Sequence, residues 1–208
     1  MLRSFFVLMA LASVSYLACA SGQHYSIDKP SPKGTYRVRI EISPGNRALP
    51  FQRPDEQCKI QYFKGHEVIG GFESRCRQDE YEFSLAEGWQ VVEWIAENVV
   101  RVGRDRSDQP FGDKLVVSNK TGEFVKHLGI GYGRFQDFEI FDFPPGEILE
   151  ISASPEFKPD GTSNHKVSYA GQTPKGVVEG VVEGKQRKSP QDGALRFEIT
   201  IDSNSYRK

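Results

Sequence analysis

Apolar and polar residues alternate with a period of two along several stretches of this chain, the pattern of a strand with one buried face. Tyr36, Val38, Ile40 and Ile42 fall on one side, and Arg37, Arg39 and Glu41 on the other. Tyr81, Phe83 and Leu85 oppose Glu80, Glu82 and Ser84. Leu195, Phe197, Ile199 and Ile201 oppose Arg196, Glu198, Thr200 and Asp202. Residues 59–63 and 68–74 flank Lys64-Gly65-His66-Glu67, which predicts a hairpin, with Gly70-Gly71 marking a bulge in the return strand. Residues 90–95 and 99–103 flank Ala96-Glu97-Asn98 as a second hairpin. Val91, Ile95 and Val99 also fit a helix at spacing four, but the density of β-branched residues favours strands.

Residues 104–112 read as a linker, charged and turn-forming without periodicity. Beyond it, residues 115–118, 124–132, 135–143, 148–153, 166–170, 177–183 and 195–202 each suit a strand. Seven strands in about 95 residues match the size and spacing of an immunoglobulin-like sandwich. The chain therefore predicts an all-β fold, an antiparallel β-sandwich, with an N-terminal β unit over 33–103 and a second unit over 111–203. The stretch from Val116 to Leu128, with Asn119-Lys120-Thr121-Gly122-Glu123 in its turn, and the later Pro145-Gly146-Glu147-Ile148-Leu149 add to this. That phrase resembles the immunoglobulin-like accessory modules of exported proteins, in which a strand ends in Asn and a later Pro-Gly-Glu leads into the next strand. The resemblance covers about 40 residues of turn chemistry. It implies a sandwich fold and no activity. No cysteine and tryptophan constellation of the immunoglobulin type accompanies it.

The N-terminus changes the picture by giving an address. Arg3 precedes an apolar run over 5–17, broken by Ser13 and Ser15, which closes on Ala18-Cys19-Ala20. This is the layout of a secretory signal peptide over 1–20, cleaved after Ala20. The run is shorter than the roughly 20 apolar residues a membrane helix needs. No later segment is apolar enough to span, so no transmembrane span is expected. Lipidation of Cys19 would favour Leu three places earlier, where Tyr16 stands, so an acyl anchor at Cys19 is not expected. The signal predicts a secreted, periplasmic or cell-envelope protein. Loss of 1–20 removes Arg3 alone among the charged residues, taking the formal charge from −1 to about −2. A near-neutral chain lacks the basic footprint of a nucleic-acid binder. Of three cysteines, Cys58 and Cys76 remain after cleavage, and they bracket the hairpin at Gly65. In an oxidising compartment they are expected to form a disulfide.

Chemistry-bearing residues are sparse. Gly129, Gly131 and Gly133 are spaced two and two between strands, which is not a phosphate-binding fingerprint. If the hairpin turns near Gly133, Gly129 lies opposite Phe138 and His127 opposite Ile140, so the ring can cover bare backbone. The same register sets Asp137 and Glu139 opposite Ile130 and Leu128, facing solvent. Asp137, Glu139 and Asp142 form the one acidic constellation of catalytic type. It resembles the Glu-x-Asp-x-x-Glu strand of a β-jelly-roll glycosidase family, where two carboxylates on one face act as nucleophile and acid. Here Asp and Glu are interchanged. The four histidines show no metal-ligand spacing, and no cofactor signature is present. The repeat from Gly176 to Gly184 places Val177, Glu179, Val181 and Glu183 on one face, which suits an edge strand protected by acids or a docking edge. Asn119-Lys120-Thr121 is a glycosylation sequon.

These observations predict an exported, non-catalytic protein with a binding or structural role. Its partner would be a protein or a surface glycan. The contact surface would be the Val177, Glu179, Val181, Glu183 strand or the polar loop 154–165. The alternatives are a secreted carbohydrate-active hydrolase using Asp137, Glu139 and Asp142, and a lipid-tethered accessory subunit.

Overall fold

The computed structural model describes residues 24–44, 56–76, 91–103, 112–132, 136–154, 166–183 and 194–207. The expected signal peptide, the strand over 80–85, the linker residues 104–111 and the loop residues 155–165 lie outside the described residues. What is described is all-β and sandwich-like, with thirteen strands in three sheets. No helix among the described residues is long and apolar enough to cross a membrane.

The chain divides into two compact units, residues 1–29 with 37–88 and residues 30–36 with 89–208. The first holds a four-stranded sheet in sequential order: β1 (Tyr25–Pro30), β2 (Tyr36–Pro44), β3 (Glu56–Lys64) and β4 (Glu67–Cys76). The alternation in β2 and β3 buries Val38, Ile40, Ile42, Cys58, Ile60 and Tyr62. On the other side Arg39 bonds the Asp28 carboxylate at 2.7 Å, and the Arg37 guanidinium lies 4.4 Å from the centre of the Phe63 ring. Strand β1 was not legible in the sequence, because its Tyr-Ser-Ile-Asp-Lys-Pro run sits in a polar stretch. The β3–β4 hairpin carries one extra residue, Ile69, between the pairs Tyr62–Gly70 and Phe63–Val68. Gly71, two places on, has φ +147°, and a Cβ there would lie 2.2 Å from the Ile60 carbonyl oxygen, so only glycine fits.

This register corrects the expected Cys58–Cys76 bridge. The bulge moves the partner of Cys58 by one place, from Glu73 to Ser74, while Cys76 pairs with Glu56. The two cysteines are thus diagonal, two positions apart. Such neighbours sit about 7–8 Å from each other, beyond the Cα separation of roughly 6.8 Å that a disulfide tolerates. Cys58 is buried in the sheet and forms no disulfide in this structure.

The second unit is a sandwich. Its six-stranded sheet runs β12-β11-β8-β9-β6-β5, and its three-stranded sheet runs β10-β7-β13. The strands are β5 (Val91–Ala96), β6 (Val99–Gly103), β7 (Asp113–Asn119), β8 (Val125–Tyr132), β9 (Gln136–Phe143), β10 (Ile148–Ala153), β11 (Lys166–Thr173), β12 (Gly176–Glu183) and β13 (Arg196–Ile201). In this unit β13 runs parallel to β7, and the other pairings are antiparallel. The hairpin of β5 and β6 is not part of the N-terminal sheet. Its β6 is hydrogen bonded to β9, on the far side of the expected linker.

The core lies between the two sheets. Leu128, Ile130, Phe138, Ile140 and Val167 from the larger sheet meet Leu115, Val117, Ile151, Phe197, Ile199 and Ile201 from the smaller. Burying a side chain of this size contributes about 1.5–3 kcal/mol. The turn over 30–36 is tied to this unit through Glu97. The Glu97 carboxylate accepts from the Ser31 hydroxyl at 2.8 Å and from the Lys33 and Thr35 amides at 2.7 and 3.1 Å. Desolvation opposes its charge, but the hydrogen bonds from Thr35, Ser31 and Lys33 win and bring its pKa down to about 2.

Candidate functional site on the outer sheet face

The apolar residues of β8 and β9 alternate, and the core claims one set from each strand. Leu128 pairs with Ile140 and Ile130 with Phe138, all four facing inward. The outward set therefore consists of His127, Gly129 and Gly131 on β8, and Asp137, Glu139 and Phe141 on β9. This corrects the expected register by one place. Gly129 lies opposite Glu139, not Phe138, and His127 lies opposite Phe141, not Ile140. Because strands alternate, a slip of one residue exchanges faces. Asp137 and Glu139 are not solvent-facing partners of Ile130 and Leu128. They lie over bare glycine backbone, and Glu139 is 6% exposed.

The glycines create this seat. A Cβ on Gly129 would stand 3.1 Å from Glu139 Oε2, and a Cβ on Gly131 would stand 3.4 Å from Asp137 Oδ1. With neither present, the Glu139 carboxylate folds across β8 and reaches His127, Nε2 to Oε2 2.5 Å. The His127 ring stacks on Phe141 at 5.3 Å between centroids, and Phe141 stacks on Tyr36 at 5.0 Å. That stack fixes the imidazole plane. Asp137, two positions from Glu139 on the same strand and face, feels burial first and the Glu139 charge second, and the two push its carboxyl up to about 7.

Asp142 does not join them. It has φ +47°, and its Oδ2 accepts the Tyr36 hydroxyl at 2.5 Å. Burial, then the bond to Asp142, pushes the Tyr36 hydroxyl above its usual range, so Tyr36 stays a donor. The three acids expected to act together are thus a pair and an outlier. No group of three His, Cys, Asp or Glu among the described residues is arranged to hold a metal ion.

The register carries the same face further across the sheet. One row runs Val102, Asp137, Gly131, Ser168 and Val181, and the next runs Val100, Glu139, Gly129, Ala170 and Glu179. A third joins Phe141, His127, Gln172 and Val177. The strand residues singled out from the repeat, Val177, Glu179, Val181 and Glu183, therefore share a face with His127, Asp137 and Glu139. Gly129 and Gly131 are covered by the Glu139, Asp137 and Ser168 side chains, and between that seat and β12 lies a low strip on β11 where Ser168, Ala170 and Gln172 are exposed.

Strand β12 is an edge of the sheet, as the repeat suggested. Its first residues are covered by the chain's own C-terminal segment. Val178 bridges to Tyr206, the Arg207 amide donates to the Val177 carbonyl at 2.9 Å, and Arg207 pairs with Glu179 at 3.1 Å. Glu183 is paired with Lys166 at 2.7 Å.

The sequon residue Asn119 is fully buried. Its Nδ2 donates to the carbonyls of Glu123, Phe143 and Pro144, and its Oδ1 accepts from Thr121. In the folded chain this nitrogen is committed to the loops around it and is not presented to a glycosylating enzyme. Searches of protein-family models, curated proteins and solved structures find no match to this chain.

Proposed function

We propose that this is an exported, non-catalytic β-sandwich protein that binds a protein or glycan partner through the outer face of its six-stranded sheet. The N-terminal leader pattern supports export, and the resemblance to accessory sandwich modules supports the sandwich fold on which the face is built. The observation that carries the reading is the register. It brings His127, Asp137 and Glu139 onto one face with Val177, Glu179, Val181 and Glu183, across the strip on β11 where Ser168, Ala170 and Gln172 are exposed. Such a strip offers hydrogen-bonding side chains beside exposed apolar ones, Val181 being 60% exposed. That mixture suits a partner that brings both kinds of contact.

The test fills the strip. Ala170 is exposed, so Ala170→Trp should fold normally, as circular dichroism and thermal melting would show. Immobilised wild-type protein, lacking residues 1–20, is expected to retain a saturable partner from envelope extract or on a glycan array, and the variant to lose at least tenfold in retention. Equal retention by the two would overturn this face as the contact surface.

A second reading, a carbohydrate-active hydrolase, is favoured by one observation. Asp137 holds its proton up to about 7 beside Glu139 on the same strand face, and glycoside hydrolysis needs one protonated and one ionised carboxyl. The double substitution Asp137→Asn, Glu139→Gln separates the readings. Polysaccharide turnover by the wild type that vanishes in the double variant would establish the hydrolase. Absence of turnover in both, with partner binding present, belongs to the leading proposal.

A further inference from the structure

The outer face places two carboxylates at successive positions of one strand, one of them against an imidazole. Asp137 and Glu139 stand at successive outward positions of β9, and His127 Nε2 contacts Glu139 at 2.5 Å. No other charged group among the described residues of this unit balances them. On β6 the residues opposite are Val100 and Val102. Arg101 faces the other side of the sheet and is bound to Glu93 at 2.7 Å. On β11 the neighbours across β8 are Ser168, Ala170 and Gln172, and Lys166 at the strand start is held by Glu183. On β12 Glu179 is held by Arg207. Asp142, further along β9, bonds Tyr36. Even a protonated His127 offsets only one of the two negative charges, and Glu139 is almost wholly removed from water.

Two like charges at successive positions of one strand face, in a half-dry setting, are relieved most simply when one of them takes a proton. We propose that Asp137, Glu139 and His127 form a proton-responsive switch on the outer face of the sheet. As the medium acidifies, a proton passes from solvent to an Asp137 oxygen, and the pair becomes a neutral carboxyl beside a carboxylate. Towards neutrality the proton leaves, and repulsion returns between Asp137 and the Glu139 carboxylate that holds His127. The face thus changes by one charge without any backbone rearrangement. The upward displacement of the Asp137 titration by burial and by Glu139 agrees with this.

The sign of the stability effect follows. In the unfolded chain an Asp titrates at about 4. A folded-state value raised above that adds stability which is fully present below about pH 4 and is lost as pH rises through the folded value. The loss therefore falls between about pH 4 and 7.

The carboxyl-carbon resonance of Asp137, followed by NMR from pH 4 to 9 in the intact folded protein, is the direct test. A midpoint near 7 in the wild type is expected, falling by at least one pH unit in Glu139→Gln, where the like charge is gone. A wild-type midpoint near 4, or one unmoved in Glu139→Gln, would overturn the switch. Should Glu139→Gln disturb the fold, thermal melting of Asp137→Asn decides the matter. The wild type should lose melting temperature relative to this variant as pH rises from 4 to 8. Parallel curves would overturn the proposal.

Discussion

Replacing Asn119 by Ala should destabilise the second unit by about 4 kcal/mol, among the largest effects of any single polar substitution in this chain. The residue ends β7, where the chain leaves the three-stranded sheet. Its amide nitrogen serves three carbonyls, at 2.8 Å to Glu123, 3.0 Å to Phe143 and 3.0 Å to Pro144. Its oxygen accepts the Thr121 amide at 3.1 Å and the Thr121 hydroxyl at 2.7 Å. One side chain therefore joins the β7–β8 turn to the β9–β10 turn at the end of the sandwich. Each such bond contributes about 0.5–1.5 kcal/mol net, and each carbonyl left dry without a donor costs about 1–3 kcal/mol. Asn119→Asp keeps the shape but sets a second acceptor against the same carbonyls. It should cost at least as much as Asn119→Ala, which distinguishes hydrogen bonding from a packing void. Urea unfolding of the two variants checks this. A loss below about 1 kcal/mol in both would show that the turns hold together without the side chain.

Asp113→Ala should cost about 3 kcal/mol, for a related reason. Asp113 is fully buried at the start of β7. One oxygen accepts the Leu195 amide at 2.8 Å, just before β13, and the other accepts the Tyr132 hydroxyl at the end of β8. Tyr132 in turn packs edge-on against Phe197, centroids 5.8 Å apart. The carboxylate thus joins the three-stranded sheet to the six-stranded one and helps set the parallel pairing of β13 with β7. Alanine removes the acceptor for both donors and leaves a void. Asp113→Asn keeps one acceptor oxygen and should recover part of the loss. Denaturant melts of the three proteins at pH 7 give the ranking wild type, Asn, Ala. If Asn were no better than Ala, the account in terms of two accepted bonds would fail.

Local pattern made much of the fold legible. The alternation in β2 and β13 and the two hairpins at Gly65-His66 and Glu97-Asn98 are where the spacing of apolar and turn residues puts them. The site was less legible because its geometry depends on pairing. Tyr132, Ile130 and Leu128 on β8 and Ile140 and Phe138 on β9 carry the register in their alternation. Matching apolar to apolar aligns Leu128 with Ile140, as observed. Reading an aromatic over Gly129 chose the wrong neighbour by one residue. That shift alone turned Glu139 from a surface acid into the buried partner of His127. The disulfide failed on the same scale. The extra residue in β4 moved Cys58 to Ser74 and no further.

By itself the sequence determined the all-β class, most strand positions and the edge character of β12, because these depend on residues within a few places of one another. Tertiary structure alone decided which strands share a sheet. It moved the β5–β6 hairpin beside β9 and set β13 parallel to β7, since such long-range pairings answer to core burial and not to local spacing. It also decided what the polar residues do. Asn119 became a buried tie and Asp142 a partner of Tyr36. Glu139 was buried against the His127 imidazole, and Asp137 was left as its neighbour on the same strand face. A side chain's solvation and charge partners come from every strand around it, and those strands are distant in the chain.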